Sequence, residues 1–373
     1  MGDRTGIEWT DATWNPVLGC SVVSPGCTNC YAMKVAARLE AISVAHEAAH
    51  GGDPGPTVRY RGLTTETRGG PVWTGEVRLD KTMLDRPLRW KRPRRIFVNS
   101  MSDLFHEALV EDEIAEVFGV MAVAGRPFHG PSDGHRPIGK PMPLYRGGEP
   151  VQMKLPNAKH GPHVFQVLTK RAERMRRLLT DYTFRRKVAA AAYRHANDRV
   201  NAGGLAEGIE RGDDWPLPNV WLGFSAEDQQ RFDDRWPHME PLARAGWLTW
   251  CSAEPLLGPI NAKPAIGWRC AVGGQVTTEM ACHDCDPCLG ALGRGFLRWM
   301  VAGGESGPNA RRFNAAWALS IIEQCRAAAV PCFVKQMGSN PDLHGDRMDL
   351  RDRKGGDWSE WPEGLRVREF PNA

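Results

Sequence analysis

The chain has 373 residues, 42% of them hydrophobic and 25% charged, and a formal net charge of +4. This is enough for two average domains or one large α/β barrel, and the composition is that of an ordinary globular protein rather than a disordered one. The small positive charge neither identifies nucleic acid as a partner nor opposes it. Residues 1–10 are polar with no apolar signal core, and no run approaches transmembrane length, so no membrane association is expected. Ten cysteines fall into two clusters plus singles, which suits metal ligation better than a disulfide framework. A reduced, cytoplasmic setting is expected.

Short β-rich runs alternate with helical text along most of the chain. A first strand is expected at 7–10, followed by a cysteine-bearing loop. A helix at 31–45 comes next, with Val35, Leu39, Ile42 and Ala45 spaced to share one face. Further strands are expected at 76–80, 95–100, 163–169, 220–225, 247–252, 299–303 and 332–336. Helical stretches fall at 111–123, 171–179, 184–200 and 315–329. Alternation of this kind argues for a mainly parallel sheet. The fold class is α/β: a TIM-like (β/α) barrel, either the full eight-stranded form or a partial one.

The text just after the strands is polar and chemically capable. N-S-M-S-D follows the third strand, T-K-R the fourth, S-A-E-D the fifth, S-A-E-P the sixth and G-G-E-S-G the seventh, with K-Q-M-G at the eighth. Active sites of such barrels lie at the carboxyl-end face. Lys170, Arg171 and Lys335 stand there to meet a carboxylate or phosphate, or to pair with Asp103, Glu227, Glu254 or Glu305. The basic run Arg86–Arg95 surrounds Trp90 and could touch a phosphate backbone; it precedes the third strand and reads better as a solvated connection. Two stretches break the rhythm: 125–162 is an irregular excursion, and 268–295 a small cysteine-rich insertion. The barrel domain is placed at 1–340, with a tail at 341–373 packing on it.

Cys20, Cys27 and Cys30 are spaced C-x6-C-x2-C, with no further cysteine until Cys251. Three thiolates hold three irons of a cubane cluster and leave the fourth iron open, whereas an electron-transfer cluster usually has four cysteines. The helix beginning near Tyr31 directs its free N–H groups at Cys27 and Cys30, which favours thiolates. A zinc reading through Cys27, Cys30, His46 and His50 has near-finger spacing. It leaves Cys20 idle, and a helix would carry His46 roughly 24 Å from its start. Iron–sulfur is therefore preferred, and His46 and His50 read as a solvated helix end.

A three-cysteine loop after the first strand of a βα barrel resembles the radical S-adenosylmethionine enzymes. More closely, the chain resembles a bacteriophage-associated three-cysteine family of unknown function. The resemblance rests on T-D-A-T-W-N-P-V-L-G-C, C-T-N-C-Y-A, F-V-N-S-M-S-D-L-F-H, F-Q-V-L-T-K-R, A-E-P-L-L-G-P, V-A-G-G-E-S-G and W-P-E-G-L-R-V-R-E-F-P. It implies a [4Fe-4S] cluster on Cys20, Cys27 and Cys30, S-adenosyl-L-methionine as cofactor and an external electron donor. It also implies the cytoplasm of a phage-infected or prophage-carrying bacterium. Strand-end residues Ser100, Asp103, Ser225, Glu254, Gly303, Gly304 and Glu305 are the cofactor-binding candidates. The common radical-enzyme loop is C-x3-C-x2-C with an aromatic before the third cysteine; here the first spacing is six and Asn29 precedes Cys30. The expected function is generation of a 5′-deoxyadenosyl radical to modify an unidentified substrate, with nucleic acid or nucleotide as the suggested class. The alternatives are a metal-stabilised nucleic-acid-binding phage protein without enzymatic activity, and a metal-dependent hydrolase on the same barrel.

Cys270, Cys282, Cys285 and Cys288 form the second cluster, C-x11-C-x2-C-x2-C. Four thiolates close a tetrahedral site, which suits structural zinc; an auxiliary four-iron cluster ranks second. Because a closed zinc site contributes to folding, Cys282→Ser or Cys285→Ser should lower both zinc content and melting temperature. Elemental analysis and thermal denaturation check this; unchanged melting with lost turnover would mean the cluster is catalytic or redox-active.

Overall fold

Seven strands form the main sheet of the computed structural model, which describes residues 5–126, 145–146, 149–150, 162–196, 200–269, 276–277 and 296–371. They are β1 (Ala12–Trp14), β2 (Arg95–Val98), β3 (Val164–Thr169), β4 (Val220–Ser225), β5 (Leu248–Ala253), β6 (Leu297–Ala302) and β7 (Cys332–Val334). Their order in the sheet follows the chain. The pairs β1–β2, β2–β3, β5–β6 and β6–β7 are parallel. Helices separate most of them: α1 (Tyr31–Ala49), α2 (Glu111–Ala124), α3 (Ala172–Leu179), α4 (Tyr182–His195), α5 (Ala202–Arg211), α6 (Gln229–Arg244) and α7 (Ala315–Ala328). The fold is mixed α/β and compatible with the partial barrel; a full eight-stranded one is not shown. The cysteine-rich stretch with Cys270, Cys282, Cys285 and Cys288, and nearly all of 125–162, lie outside the described residues.

The chain divides into two compact units, 1–221 and 222–373, with the boundary inside β4. In the first unit the sheet begins later than the sequence suggests. Residues 7–10 form a turn, closed by Thr10 N–H donating to Ile7 O. Asp11 accepts from the Arg95 amide and guanidinium, so ladder pairing starts only at Ala12. The strand expected at 76–80 shrinks to Arg78–Leu79, antiparallel to Val17–Leu18 and outside the main sheet. That hairpin-like pairing buttresses the loop leaving β1. Trp14, Phe105, Phe118, Phe165 and Phe184 are fully buried, each contributing on the order of 1.5–3 kcal/mol.

Helix α1 turns a different face inward from the one its apolar spacing suggests. Ala32, Met33, Ala36 and Ser43 are buried, while Val35, Ile42 and Ala45 are exposed and only Leu39 packs partly against the core. Apart from Met33 the buried positions are small, and the helix packs against Leu18, Tyr60, Leu63, Trp73 and Met101. Cys20 and Cys30 pack against this same cluster.

In the second unit the buried Trp250 and Trp299 rings meet at 5.2 Å between centroids, tilted 40° to one another. The free edge of β7 is covered by the tail. Val334 N–H donates to Val367 O, Glu369 N–H donates to Cys332 O, and Phe333 bridges Arg368 in antiparallel sense. A covered edge has no unpaired backbone row to offer another chain.

Gly19 sets the exit from the first strand toward Cys20. Its φ is +84°, and a Cβ there would lie 2.0 Å from the carbonyl oxygen of Glu76. Gly19→Ala therefore adds both a left-handed backbone penalty and a steric clash, together about 2–4 kcal/mol. Denaturant titration should show that loss, and an unchanged midpoint would refute the constraint.

Candidate metal centre and strand-end site

The three cysteines occupy one loop between the β1 exit and α1. Pro25–Cys27 forms a single 3-10 turn, and Cys30 is the residue immediately before α1. Cys27 is buried; Cys20 and Cys30 are partly exposed. The thiols are close enough to oppose one another's ionisation, Cys20 with Cys30 and Cys30 with Cys27. Burial pushes the Cys20 thiol up to about 12, with Asp103 adding to the rise and Arg171 opposing it. Burial also raises Cys30, against the pull of the Ala32 and Met33 amides at the first turn of α1 and of Lys170. Without metal, the Cys20 and Cys30 thiols hold their protons; a cation in the loop would displace them.

An arginine ties this loop to the strand ends. Arg171, just before α3, donates through Nη1 to Asp103 Oδ2 at 3.0 Å and through Nη2 to Ser21 Oγ at 2.7 Å. Its Nε donates to both oxygens of Glu107. Asp103 is saturated: Oδ1 accepts from Thr169 Oγ1 and Phe105 N–H, and Oδ2 also accepts from Lys170 N–H. Both members of the Arg171–Asp103 pair are buried.

His106 completes the network. Its Nδ1 accepts from the Ala108 amide at 3.1 Å. A backbone N–H only donates, so the ring proton sits on Nε2 and is given to Ser21 Oγ, 2.9 Å away. Burial first, then Arg171, lowers the His106 pKa and keeps the ring neutral. Ser21 Oγ thus accepts from Arg171 and His106, and its own hydrogen remains to donate toward another group.

Ser100 lies beyond the end of β2. Its Oγ donates to Asn15 Oδ1 at 3.1 Å, and its carbonyl accepts a hydrogen bond from the Tyr31 hydroxyl. Neighbouring Asn99 has φ 58° and a buried Nδ2 without a protein partner, a donor whose isolation costs about 1–3 kcal/mol unless a ligand or water meets it.

The remaining candidates belong to the second unit. Ser225 is buried at the end of β4, and its carbonyl accepts from Arg235, which also pairs with fully buried Glu227. Glu254 meets Lys335 Nζ at 3.0 Å. Gly303 leaves room for that carboxylate, since a Cβ there would stand 2.7 Å from Glu254 Oε1. Gly304 lets two chain segments touch: its Cβ would fall 2.2 Å from the Met337 carbonyl. Glu305 is occupied by Arg311, accepting from its amide and from both Nε and Nη2. Gln336 donates to Gly304 O, while its buried Oε1 lacks a protein partner.

Of the charge pairings considered from sequence, Arg171–Asp103 and Lys335–Glu254 form, while Glu227 and Glu305 take other arginines. Ser21, His106 and Glu107 were not foreseen; S-D-L-F-H-E after the strand carried the only local sign. The run Arg86–Arg95 includes a 3-10 turn at Arg86–Arg89, and Arg94 stacks over Trp90 at 5.0 Å. No described helix is long and apolar enough to cross a membrane.

Among the described residues no three His, Cys, Asp or Glu side chains close round a point as ligands of one ion do. Arg171 favours the charged form of Cys20, and the first-turn amides of α1 with Lys170 favour that of Cys30.

Fold and site together define a mixed α/β protein with a parallel sheet and a three-cysteine loop beside its strand ends. The chain belongs to the family described as "Protein of unknown function (DUF5131)", whose profile matches residues 4–128 and 154–362. The break in the match falls inside the 125–162 excursion. No curated protein and no solved structure matches the chain.

Arg171→Met would leave buried Asp103 without its cation, destabilising the protein by about 3–5 kcal/mol. Arg171→Lys keeps the charge but loses the planar fork that reaches three partners, so it should fall between the two. Urea unfolding of the three proteins checks the ranking; equal stability of Arg171→Met and the parent would refute the anchoring role.

Proposed function

We propose that the protein is a radical S-adenosylmethionine-type iron–sulfur enzyme acting on an as yet unidentified substrate. The observation that carries this reading is the gathering of Cys20, Cys27 and Cys30 in one loop, at the start of α1 and tied through Ser21 to Arg171. Three thiolates without a fourth leave one iron for the amino and carboxylate groups of the cofactor. When bound and reduced, the cluster supplies the electron that cleaves S-adenosylmethionine to methionine and a 5′-deoxyadenosyl radical.

The chain's own groups hold and orient. Cys20, Cys27 and Cys30 bind; Arg171 and Lys170 offset the negative charge of the thiolates; Ser21 offers its hydroxyl hydrogen to the bound group. Asp103 holds Arg171 and the Lys170 amide in place rather than meeting the cofactor, because all its acceptor positions are taken. Asn99 Nδ2 and Gln336 Oε1 are, respectively, a donor and an acceptor left for a polar ligand in the two units.

Protein purified without oxygen should be brown and hold about four irons per chain in this site. The combined Cys20→Ala, Cys27→Ala and Cys30→Ala variant should lose that iron. Addition of S-adenosylmethionine should perturb the paramagnetic spectrum of the reduced cluster, and dithionite should release 5′-deoxyadenosine. Colourless protein holding only zinc after anaerobic handling would sink the proposal.

A further inference from the structure

Helix α1 carries a stripe of large side chains on its outer side. Tyr31, Val35, Arg38 and Ile42 follow one another at i, i+4, i+7 and i+11, with Lys34 beside them, and all five are exposed. Six of the eleven large hydrophobic side chains exposed among the described residues lie between Val22 and Val44. Apolar surface left to solvent is thus gathered on this helix and on the cysteine loop that leads into it, and such gathering marks an interaction site. The charge on the stretch has one sign. No Asp or Glu stands between Asp11 and Glu40, and Lys34 and Arg38 are the only cations there. Neither meets a carboxylate among the described residues. The acids on the flank are engaged: Glu40 accepts from the Gly62 amide, and Glu47 pairs with Arg61. Tyr31 is 53% exposed, and its hydroxyl donates to the Ser100 carbonyl beyond β2. The ring is therefore held at one end while much of it faces solvent.

We propose that this stripe binds single-stranded nucleic acid, with a base stacked on Tyr31 and phosphates on Lys34 and Arg38. Three features select that ligand. Two cations without carboxylate partners, in a stretch free of acids, attract a polyanion. A flat aromatic ring set beside them stacks any base, since every base has a π-face. The valines and Ile42 decide between one strand and two. A duplex hides its base faces and turns phosphates outward, whereas a single strand brings those faces against aromatic and apolar side chains. Tyr31 and Arg38 stand about 10 Å apart along the helix, so one short segment of strand meets both. A second copy of the chain would set Lys34 and Arg38 against the same charges, which disfavours self-pairing through this face. Because Tyr31 is anchored on Ser100, the strand is brought to the carboxyl end of β2. As a substrate assignment this rests on the radical-enzyme reading above; as a binding surface it does not.

The test is fluorescence anisotropy of short labelled strands of oligothymidylate and oligouridylate, and of a DNA duplex of the same length, titrated with the full-length protein over a range of salt. Both single strands should bind more tightly than the duplex, and the tighter of the two says whether DNA or RNA is the ligand. Tyr31→Ala should weaken single-strand binding by about 5–150-fold, the range for losing one stacked base, and leave its salt dependence as it was. Tyr31→Phe, which keeps the ring, should retain most of the affinity. Lys34→Ala combined with Arg38→Ala should make the fall of log affinity with log salt shallower by about 1.4, the share of two phosphates on a single strand. All three side chains are exposed, and thermal melting of each variant checks that the fold is intact. Preference for the duplex, no binding of either strand, or affinity and salt slope unchanged in Tyr31→Ala and in the double variant would overturn the proposal. Iron content and 5′-deoxyadenosine release from the same preparations report on the radical reading separately. Strand binding without either would leave the surface standing and sink the enzyme assignment.

Discussion

The first unit is organised around one buried ion pair, Arg171 with Asp103. A charge taken out of water needs its partner and its remaining hydrogen bonds met, or it destabilises what surrounds it. Here both conditions hold. Asp103 receives four donors, drawn from the segment after β2 and from the end of β3 and its following turn. Arg171 extends the same constraint to Ser21, one residue past Cys20. The cysteine loop is thus held from two sides: its backbone by Gly19 and its bridge to Ser102, its side chains by the arginine. Burial keeps the Cys20 and Cys30 thiols protonated, and the surrounding cations and helix amides lower the cost of removing those protons.

Much of the fold is legible in the sequence because parallel strands are buried on both faces and read as continuous apolar runs. V-F-Q-V-L-T, V-W-L-G-F-S and R-I-F-V are such runs, and each is a strand of the main sheet. The first strand was misjudged because it has three residues, and Asp11, a poor strand former, marks its true start. The inward face of α1 was misjudged for a different reason. Apolar spacing finds a stripe but does not say which side the core takes, and here closeness of approach favoured alanines over Val35 and Ile42.

The candidate site's cysteines stand out in the sequence, and the groups that surround them do not. The three cysteines announce themselves by spacing. The partners of Arg171 lie 64, 68 and 150 residues away along the chain, and no local pattern records which carboxylate a cation will choose. Asp103 and Glu305 look like ligand-binding groups in sequence, since both follow strands and carry charge. Their hydrogen bonds show them to be already engaged.

The way the tail covers β7 bears on the order in which the protein is built. The strand gains its outer hydrogen bonds from residues 367–369, and Arg368 donates to the carbonyls of Val334 and Lys335 while lying over Phe333, Trp358 and Trp361. Lys335 therefore lacks its framework until some thirty further residues have left the ribosome. Every part of the cysteine loop and its arginine anchor lies before residue 172, and domains formed during synthesis take shape from the N-terminal side. The growing chain has all the parts of its thiol loop in hand well before it can finish the sheet edge that carries its second set of strand-end groups.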